Sequence, residues 1–415
     1  MDHTSHPAAP APALPLSGKR LLDFSQGVAG PYCAMLLAEL GAEVIKVEPP
    51  EGDWIRAVGT LVQPNESSAH LCLNRNKRSI SLDLKHPEGR AIAARLAARS
   101  DIIVQNFRLG VMDKFGLGYD TLAANNPRLI YATIFGFGED GPLAHAPATD
   151  SVMQAFGGLM SINGDDGPPL RVGNMVSDML AGSYLSQGVL AALLTMANTG
   201  RGQQVSVSLL DALVAFQAPP VMEYLVTGKV PARSGRNHPL MAPSGTYKVR
   251  DGFVTLVATQ RLWPKFCTAV GMPELIDDPR FATNEVRVQH RDALQQLIVP
   301  FFEGKTKAEL LEISSRHDLV CAPINDYREL LEHEQVKASG LMRDWSHPAL
   351  GSFSGSRNPI RYAEMAPVWG VSPLLGEHTR DILSGDIGMP AEQIARLEAD
   401  GIVLANRVTA RGAAS

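Results

Sequence analysis

The sequence predicts an α/β protein in which a doubly wound, Rossmann-like large domain is joined to a smaller α+β domain. In the first half of the chain, short β-branched runs alternate with amphipathic helical patterns, and this alternation builds a parallel sheet covered by helices. With 415 residues, the chain is also longer than one hydrophobic core usually supports. Near Pro219 the alternation stops and turn residues accumulate, so we expect a second domain to follow.

The large domain is predicted to begin with a βαβ unit. RLLDF (residues 20–24) is a predicted strand, SQGVAG is a turn, and the helix that starts at Pro31 is closed by Gly41 before the strand AEVIKVE. The same patterns predict strands over residues 79–84 and 102–107, a helix over 87–100, and over residues 129–138 a strand that runs into a Gly-rich loop. A helix is predicted from Asp178, with Ser177 as N-cap and Gly200 as stop. A strand over 204–210, a helix over 211–218 and a hairpin around Arg250 and Asp251 follow.

Composition divides the chain into five segments. Residues 1–18 are rich in Pro and Ala and lack a basic start, so we expect a disordered tail rather than a signal peptide. Residues 19–218 form the predicted large domain, and residues 219–240, with their turn signals, form a linker. Residues 241–328 form the small domain. Residues 329–415 look too short and loop-rich to fold alone, so we expect them to pack back on the large domain.

Charge and composition argue against several classes of function. The chain carries 38 basic and 43 acidic side chains without a basic block, which argues against nucleic acid as a partner. The longest apolar stretch, residues 188–196, is shorter than the roughly 18 residues that a membrane span needs. Four separated cysteines and the lack of metal-ligand spacing among the histidines indicate a cytoplasmic protein with reduced thiols and no metal.

Basic side chains gather where the predicted strands end. NRNKRS (residues 74–79) places three cations before a predicted strand, and Arg108 and Lys114 follow the strand IIVQNF, at the carboxyl end where open α/β sheets bind ligands. Together they favour a phosphorylated ligand, although NRNKRS alone is equally typical of a solvated face. The turn SQGVAGP and the loop GFGEDGP would let a ligand approach the backbone, or they are plain turns. SQGVAGP lacks the full GxGxxG spacing of a dinucleotide site.

Asp178 is the candidate for covalent chemistry. Its carboxylate lies among apolar residues and would be costly to bury without compensation. The N-terminus of a helix would keep the group ionised and oriented. Because Asp also stabilises helix starts without any catalytic role, a purely structural interpretation stays open. The carboxylates that compete for a catalytic role are Asp150, Asp165, Asp166 and Asp211.

Taken together, these segments resemble the family III CoA-transferases, a group that includes formyl-CoA transferase, carnitine CoA-transferase and α-methylacyl-CoA racemase. The resemblance runs from about Leu21 to Leu383. Several motifs in the right order carry it: LLDFSQGVAGPYCAMLLAELGAEVIKVE, LNRNKRSISLDLKHPEGR, NFRLGVMDKFGLGYD, LIYATIFGFGEDGP, VGNMVSDMLAGSY, TGRGQQVSVSLLDA and PLLGEHT.

The resemblance implies a fold, a site and a mechanism. The family fold is an interlocked homodimer, and the substrates are an acyl-CoA and a carboxylic acid, with no tightly bound cofactor. Asp178 takes the place of the catalytic aspartate, which becomes an aspartyl anhydride and then an aspartyl-CoA thioester. The implied CoA contacts are Val28, Ala29, Leu82, Lys85, Asn106, Phe107, Arg108, Lys114, Phe135, Gly136, Phe137 and Gly138.

Departures from the family pattern separate its branches. Thr149 replaces a histidine base of the racemase branch, which argues against racemisation. Val28 and Phe137 replace a glutamine and a tyrosine of the formyl-CoA transferase branch, which argues against formate or oxalate as a substrate. We therefore expect a CoA-transferase, with succinyl-CoA as donor and a dicarboxylic acid as acceptor. A racemase and a non-catalytic acyl-CoA-binding protein are the alternatives. Four side chains either bind a second carboxylate of the substrate or are exposed without a role: Arg233, Arg236, His238 and Arg261.

Overall fold

The computed structural model describes residues 14–406, which fold as two compact units. Unit 1 contains the described residues up to Gly157, Gly173–Gln217 and the described residues from Gly340 onwards. Unit 2 contains Gly158–Val172 and Ala218–Ser339.

The unit boundaries differ from the predicted segments. Residues 158–172, assigned to the large domain, belong to unit 2, and the chain re-enters unit 1 at Gly340 rather than at residue 329. The predicted linker over 219–240 contains most of the helix Ala218–Thr227. Its two prolines lie in the first turn, where they remove no helical hydrogen bond. Most of the predicted tail lies outside the described residues, but Leu16, near its end, is buried.

Unit 1 is built on a six-stranded sheet. Every neighbouring pair is parallel, as in a doubly wound fold. The strands are β1 (Arg20–Asp23), β2 (Glu43–Glu48), β3 (Lys77–Ser81), β4 (Ile102–Gln105), β5 (Ile130–Phe135) and β6 (Gln203–Ser208). Their order is β3-β2-β1-β4-β5-β6, so the predicted fold class is confirmed. Only β3 differs clearly from its predicted range of 79–84.

Five helices of unit 1 position the site described below. They are α1 (Ala29–Glu39), α2 (Pro87–Ala97), α3 (Asp150–Phe156), α4 (Val176–Thr199) and α5 (Leu209–Phe216). Helix α4 packs closely against α1 at Gly182, where a Cβ would lie only 2.5 Å from the carbonyl oxygen of Ala29. This contact brings the start of α4 next to the turn that follows β1.

Helix α4 differs from its prediction at one end only. Gly200 ends it in the left-handed conformation, with φ +73°, as predicted. Ser177, predicted as the N-cap, is the second helical residue, and Met175 holds the cap position. Within residues 14–406, α4 is also apolar and long enough to cross a membrane by length and composition. Eight of its residues are buried in unit 1, which is equally typical of a core helix.

One hydrophobic cluster covers a face of the sheet in unit 1. Leu22, Ile45 and Ile103 from the central strands pack with α2 and with the last described segment of the chain. Ile382 and Leu397 of that segment are fully buried, and each such side chain stabilises the fold by roughly 1.5–3 kcal/mol. The remaining elements of unit 1 are Trp54–Ala57, Leu61–Gln63, Glu66–Ser67, Ser68–Leu73, Val111–Lys114, Tyr119–Asn125, Met342–His347, Gly351–Ser356, Thr379–Asp381, Ile382–Asp386 and Ala391–Ala399.

Unit 2 combines a small antiparallel sheet with helices. Strands β7 (Ser244–Val249) and β8 (Gly252–Val257) form the predicted hairpin at Arg250 and Asp251, and β9 (Val320–Pro323) pairs with β8. An aromatic core that includes Trp263, Phe266, Phe281 and Phe302 lies within the unit. The other elements are Leu159–Ile162, Ala218–Thr227, Gln260–Leu262, Trp263–Ala269, Pro273–Ile276, Asn284–Gln289, Arg291–Glu303, Lys307–Arg316, Tyr327–Glu332 and Glu334–Ser339.

Candidate active site

A cleft of about 440 Å³ opens where the strand order of the sheet reverses, between β1 and β4. Ligands of open α/β sheets bind at this switch point, at the carboxyl ends of the strands. The walls come from the turn after β1, from the residues after β4 and β5, and from the starts of α3 and α4. The predicted site residues that line it are Val28, Ala29, Asn106, Phe107, Arg108, Phe135, Gly136 and Asp178.

Asp178 lies in the first turn of α4 and is half-buried in the wall of this cleft. Its carboxylate accepts no hydrogen bond from any side chain or backbone group within residues 14–406. Burial, followed by the nearby charge of Asp150, raises the pKa of Asp178 to about 7. At neutral pH the group is therefore divided between the protonated acid and the ionised carboxylate.

Asp150 faces the same cleft but is fully engaged. Its carboxylate accepts hydrogen bonds from the backbone N–H of Ser177 at 2.9 Å, from the Ser177 hydroxyl at 2.8 Å and from the Gln154 amide at 2.8 Å. It therefore caps the start of α4 from outside the helix, which explains why Ser177 is not the N-cap. The two carboxylates lie in different environments, and only Asp178 has its oxygens available for chemistry.

The turn after β1 forms the wall that faces α4. The side chain of Asn106 holds Gln26 through two hydrogen bonds, accepting from its N–H at 2.9 Å and donating to its carbonyl at 2.7 Å. Gly27 has φ +77°, and a Cβ there would overlap the ring of Trp54. Glycine is therefore required at this position, and Val28 and Ala29 follow it into the cleft.

A second pocket, of about 260 Å³, adjoins the cleft because Gln26 and Phe107 line both. Leu82 and Lys85, two further predicted CoA contacts, line this pocket together with Val47 and Phe115. The Lys85 side chain is exposed and makes no ion pair with any residue in the described part of the chain. Asp178 therefore lines the cleft, and the cationic side chain of Lys85 lines the adjoining pocket.

The chain matches the family model for CoA-transferase family III over residues 16–379, most of its length. It belongs to that family. The membership makes the protein an enzyme, a CoA-transferase that uses CoA thioesters as substrates, and confirms the resemblance carried by its motifs.

Named relatives have different acceptor acids. The chain is 37% identical over 380 residues to the succinate–glutarate CoA-transferase of Agrobacterium fabrum, covering 89% of this chain and 95% of the relative. It is 38% identical over 335 residues to the acetyl-CoA:oxalate CoA-transferase of Acetobacter aceti, covering 80% and 86%. A CaiB/BaiF family protein from Brucella suis has a similar solved structure, with a TM-score of 0.81 at 36% identity, covering 90% of this chain and 99% of that one.

Three of the CoA contacts implied by the family motifs lie outside both pockets. Lys114 ends the helix Val111–Lys114, and neither Phe137 nor Gly138 contributes to the walls. The Phe137 ring instead packs edge-on against Phe156, with 5.0 Å between the ring centroids.

The basic segment NRNKRS has a role that its sequence did not predict. Lys77 is buried and pairs with Asp23 at 2.9 Å, and Arg75 is buried and pairs with Glu39 at 3.1 Å. Arg78 pairs with carboxylates as well. Because most of the segment is buried, the solvated-face interpretation is wrong. The charges of these side chains are compensated by carboxylates, so the segment no longer supports the expectation of a phosphorylated ligand.

Sequence reasoning missed Lys46, Asp53 and Trp54. Trp54 lines the cleft, and Lys46 and Asp53 form a fully buried ion pair beneath it, at 2.9 Å. The available signal was a lysine between Ile45 and Val47 in a strand with no exposed face, since a buried ammonium group needs a partner. Within residues 14–406, no group of three or more metal-ligating side chains is close enough to hold a metal ion.

Proposed function

We propose that this protein moves CoA from an acyl-CoA donor to a carboxylic acid, with Asp178 as the covalent nucleophile. The observation that carries the proposal is a carboxylate, in the cleft at the switch point of the sheet, that has no hydrogen-bond partner among residues 14–406. A carboxylate whose pKa is near 7 is a stronger base and nucleophile than one of ordinary pKa, because it gains more when it shares its electron pair.

The two adjoining pockets support a position for CoA. Arg108 lines the cleft, and its guanidinium group has no ion pair or hydrogen bond with any described residue. We propose that Arg108 binds the CoA phosphates while Lys85 adds charge at the far end. The more apolar pocket at Leu82 would hold the adenine, and the thioester would reach Asp178 through the cleft.

The proposed reaction passes through three covalent intermediates on Asp178: a mixed anhydride, a CoA thioester and a second mixed anhydride. The Asp178 carboxylate attacks the donor carbonyl, which forms a mixed anhydride and releases CoA thiolate. The thiolate attacks the aspartyl carbonyl, the donor acid leaves, and an aspartyl-CoA thioester remains. The acceptor carboxylate attacks this thioester, which forms a second mixed anhydride with Asp178 and again releases the thiolate. The thiolate then attacks the acceptor carbonyl of that anhydride, which gives the acceptor acyl-CoA and frees the Asp178 carboxylate. Water must be excluded, because it would hydrolyse each of these intermediates.

We further propose succinyl-CoA as the donor and a dicarboxylic acid as the acceptor. The names of the relatives support this choice, since glutarate and oxalate are both dicarboxylates. Val28 and Phe137, which depart from the formyl-CoA transferase branch, favour an acceptor other than oxalate. An assay of succinyl-CoA against a panel of acids from oxalate to adipate tests this choice, and transfer to monocarboxylic acids alone would contradict it.

A cytoplasmic, interlocked homodimer is also part of the proposal. The helix Ala218–Thr227 has no buried residue and exposes Met222, Leu225 and Val226, which supports burial against another copy. Light scattering should then give twice the chain mass, and a monomeric mass at micromolar concentration would contradict the dimer.

The central test replaces Asp178 by Asn, which cannot form the anhydride. We expect kcat for transfer to fall at least about a thousandfold, as when other covalent nucleophiles are removed. The matched control is Asp211→Asn, because Asp211 is likewise the third residue of its helix but is exposed and lines neither pocket. The assignment would be refuted by an Asp178→Asn enzyme that keeps substantial activity after deamidation has been excluded by mass spectrometry.

A further inference from the structure

In the turn after β1, most backbone N–H and C=O groups of residues 25–27 make hydrogen bonds to side chains, several of which are fully buried. The carboxylate of Asp23 accepts from both the N–H and the hydroxyl of Ser25, and the ammonium group of Lys46 donates to the Ser25 carbonyl at 2.9 Å. The next residue is held by Asn106. The N–H of Gly27 donates to the carboxylate of Asp53 at 2.9 Å.

Asp53 connects two walls of the cleft. One carboxylate oxygen accepts from Gly27 N–H and also, at 3.1 Å, from the N–H of Ile55, so that Asp53 caps the short helix Trp54–Ala57. The other oxygen pairs with Lys46, which in turn holds Ser25. A single ion pair therefore fixes both the turn that carries Val28 and Ala29 and the exposed ring of Trp54.

Stability alone does not explain a charged pair in this place. Both side chains are completely buried, and the desolvation of two charges offsets most of their attraction, so apolar residues of similar size would stabilise a core as well. Apolar residues would, however, leave the carbonyl of Ser25 and the N–H of Gly27 without partners. What the pair supplies is a defined backbone geometry at the rim of the cleft.

We infer that Lys46 and Asp53 are positioning residues for acyl-CoA binding, which hold the turn of residues 25–27 and Trp54 in the ligand-binding geometry before the ligand arrives. This inference rests on the proposed function, since it assumes that the cleft receives a CoA thioester. It predicts that loss of the pair weakens binding of the CoA portion, while Asp178, held separately through Asp150, keeps its reactivity.

The test is Asp53→Asn in the full chain, assayed with succinyl-CoA and by calorimetric titration with free CoA. We expect KM for succinyl-CoA and Kd for CoA to rise about tenfold or more, with kcat within about threefold of wild type. Asp101→Asn is the matched control, because Asp101 also binds a lysine Nζ and a backbone N–H, each at 2.9 Å, but at the opposite end of β1. A purely structural role would lower the thermal midpoint in either variant and leave KM and Kd unchanged.

The outcomes separate this inference from the proposed function. A wild-type chain that neither binds CoA nor transfers it refutes the proposed function. A wild type that binds CoA, together with an Asp53→Asn variant that binds it equally well, refutes the positioning role alone. If Asp53→Asn does not fold, hydrogen exchange on the wild-type chain decides, because a preformed turn requires protected amides at residues 25–27 without ligand. Rapid exchange there would overturn the inference.

Discussion

The two walls of the cleft, at the start of α4 and at the turn after β1, differ in how their polar groups are hydrogen-bonded. At the start of α4, the carboxylate of Asp178 has no hydrogen-bond partner among the described residues. At the turn after β1, polar groups of Ser25, Gln26 and Gly27 are held by buried charged side chains and by the half-buried amide of Asn106. The carboxylate proposed to react has no hydrogen-bond partner among the described residues, whereas the backbone of the turn after β1 is held by several side-chain hydrogen bonds.

The pKa values reflect this difference. Burial works against ionisation of Asp23, but the ammonium groups of Lys77 and Lys46 and the hydrogen bonds around it hold its pKa below the usual range. Burial of Asp178 is reinforced by the negative charge of Asp150, so its pKa rises to about 7. Compensating positive charge therefore keeps the first carboxylate ionised, whereas the second carboxylate lacks it and has a raised pKa.

The largest expected effect is on Asp178 and is tested by trapping the proposed covalent intermediate. Incubation with succinyl-CoA in the absence of an acceptor should load Asp178 as an acyl derivative, and hydroxylamine should then convert the residue to a hydroxamate. We expect complete loss of activity that requires succinyl-CoA, because a resting carboxylate is inert to hydroxylamine. Peptide mapping by mass spectrometry should locate the change in VGNMVSDMLAGSY. A hydroxamate at Asp150 would instead reverse the roles of the two carboxylates.

A smaller effect is expected at Arg108, which we propose binds the CoA phosphates. Arg108→Ala should raise KM for succinyl-CoA about tenfold to a hundredfold, since charge-assisted hydrogen bonds of this kind contribute roughly 1.5–3 kcal/mol. Arg128→Ala is the control, because Arg128 is exposed and precedes the amino-terminal end of β5. An equal change of KM in both variants would indicate a general effect of charge rather than a phosphate contact at Arg108.

Most strands and helices of unit 1 could be predicted from local sequence patterns. Runs of β-branched residues mark strands such as β2, β4 and β5, and Gly41 and Gly200 mark helix ends by their positive φ. The doubly wound order followed from the alternation of these elements. The sequence placed Asp178 at a helix start, but it could not show which carboxylate accepts the hydrogen bonds there. That carboxylate is Asp150, which comes from a segment 28 residues earlier.

The charged interior could not be predicted from local patterns. Lys77 and Asp23 are 54 residues apart in sequence, and only the parallel pairing of β1, β2 and β3 brings them together. A pattern of cations in NRNKRS contains no information about which carboxylate lies above it. For the same reason the unit boundaries were misplaced at residues 158–172, whose assignment depends on tertiary contacts.

The smallest expected effect concerns how the two carboxylates influence each other. Asp178 must lose its proton to attack, so kcat/KM for succinyl-CoA should fall about tenfold per pH unit below a pKa near 7 and level off above it. In Asp150→Asn the negative charge beside Asp178 is removed, while the amide oxygen can still accept from the N–H of Ser177.

The acid limb of the pH profile should therefore move to lower pH in Asp150→Asn, by about one unit or less, because burial is the larger cause of the raised pKa and persists in the variant. Asp211→Asn removes the same charge from the exposed start of α5 and should leave the limb in place. Profiles of kcat/KM from pH 5 to 9 on the three proteins would decide. A limb that stays at pH 7 in Asp150→Asn would mean that burial alone sets the pKa of Asp178. A limb that moves upward would mean that Asp150 stabilises the ionised nucleophile, against the repulsion inferred from the structure.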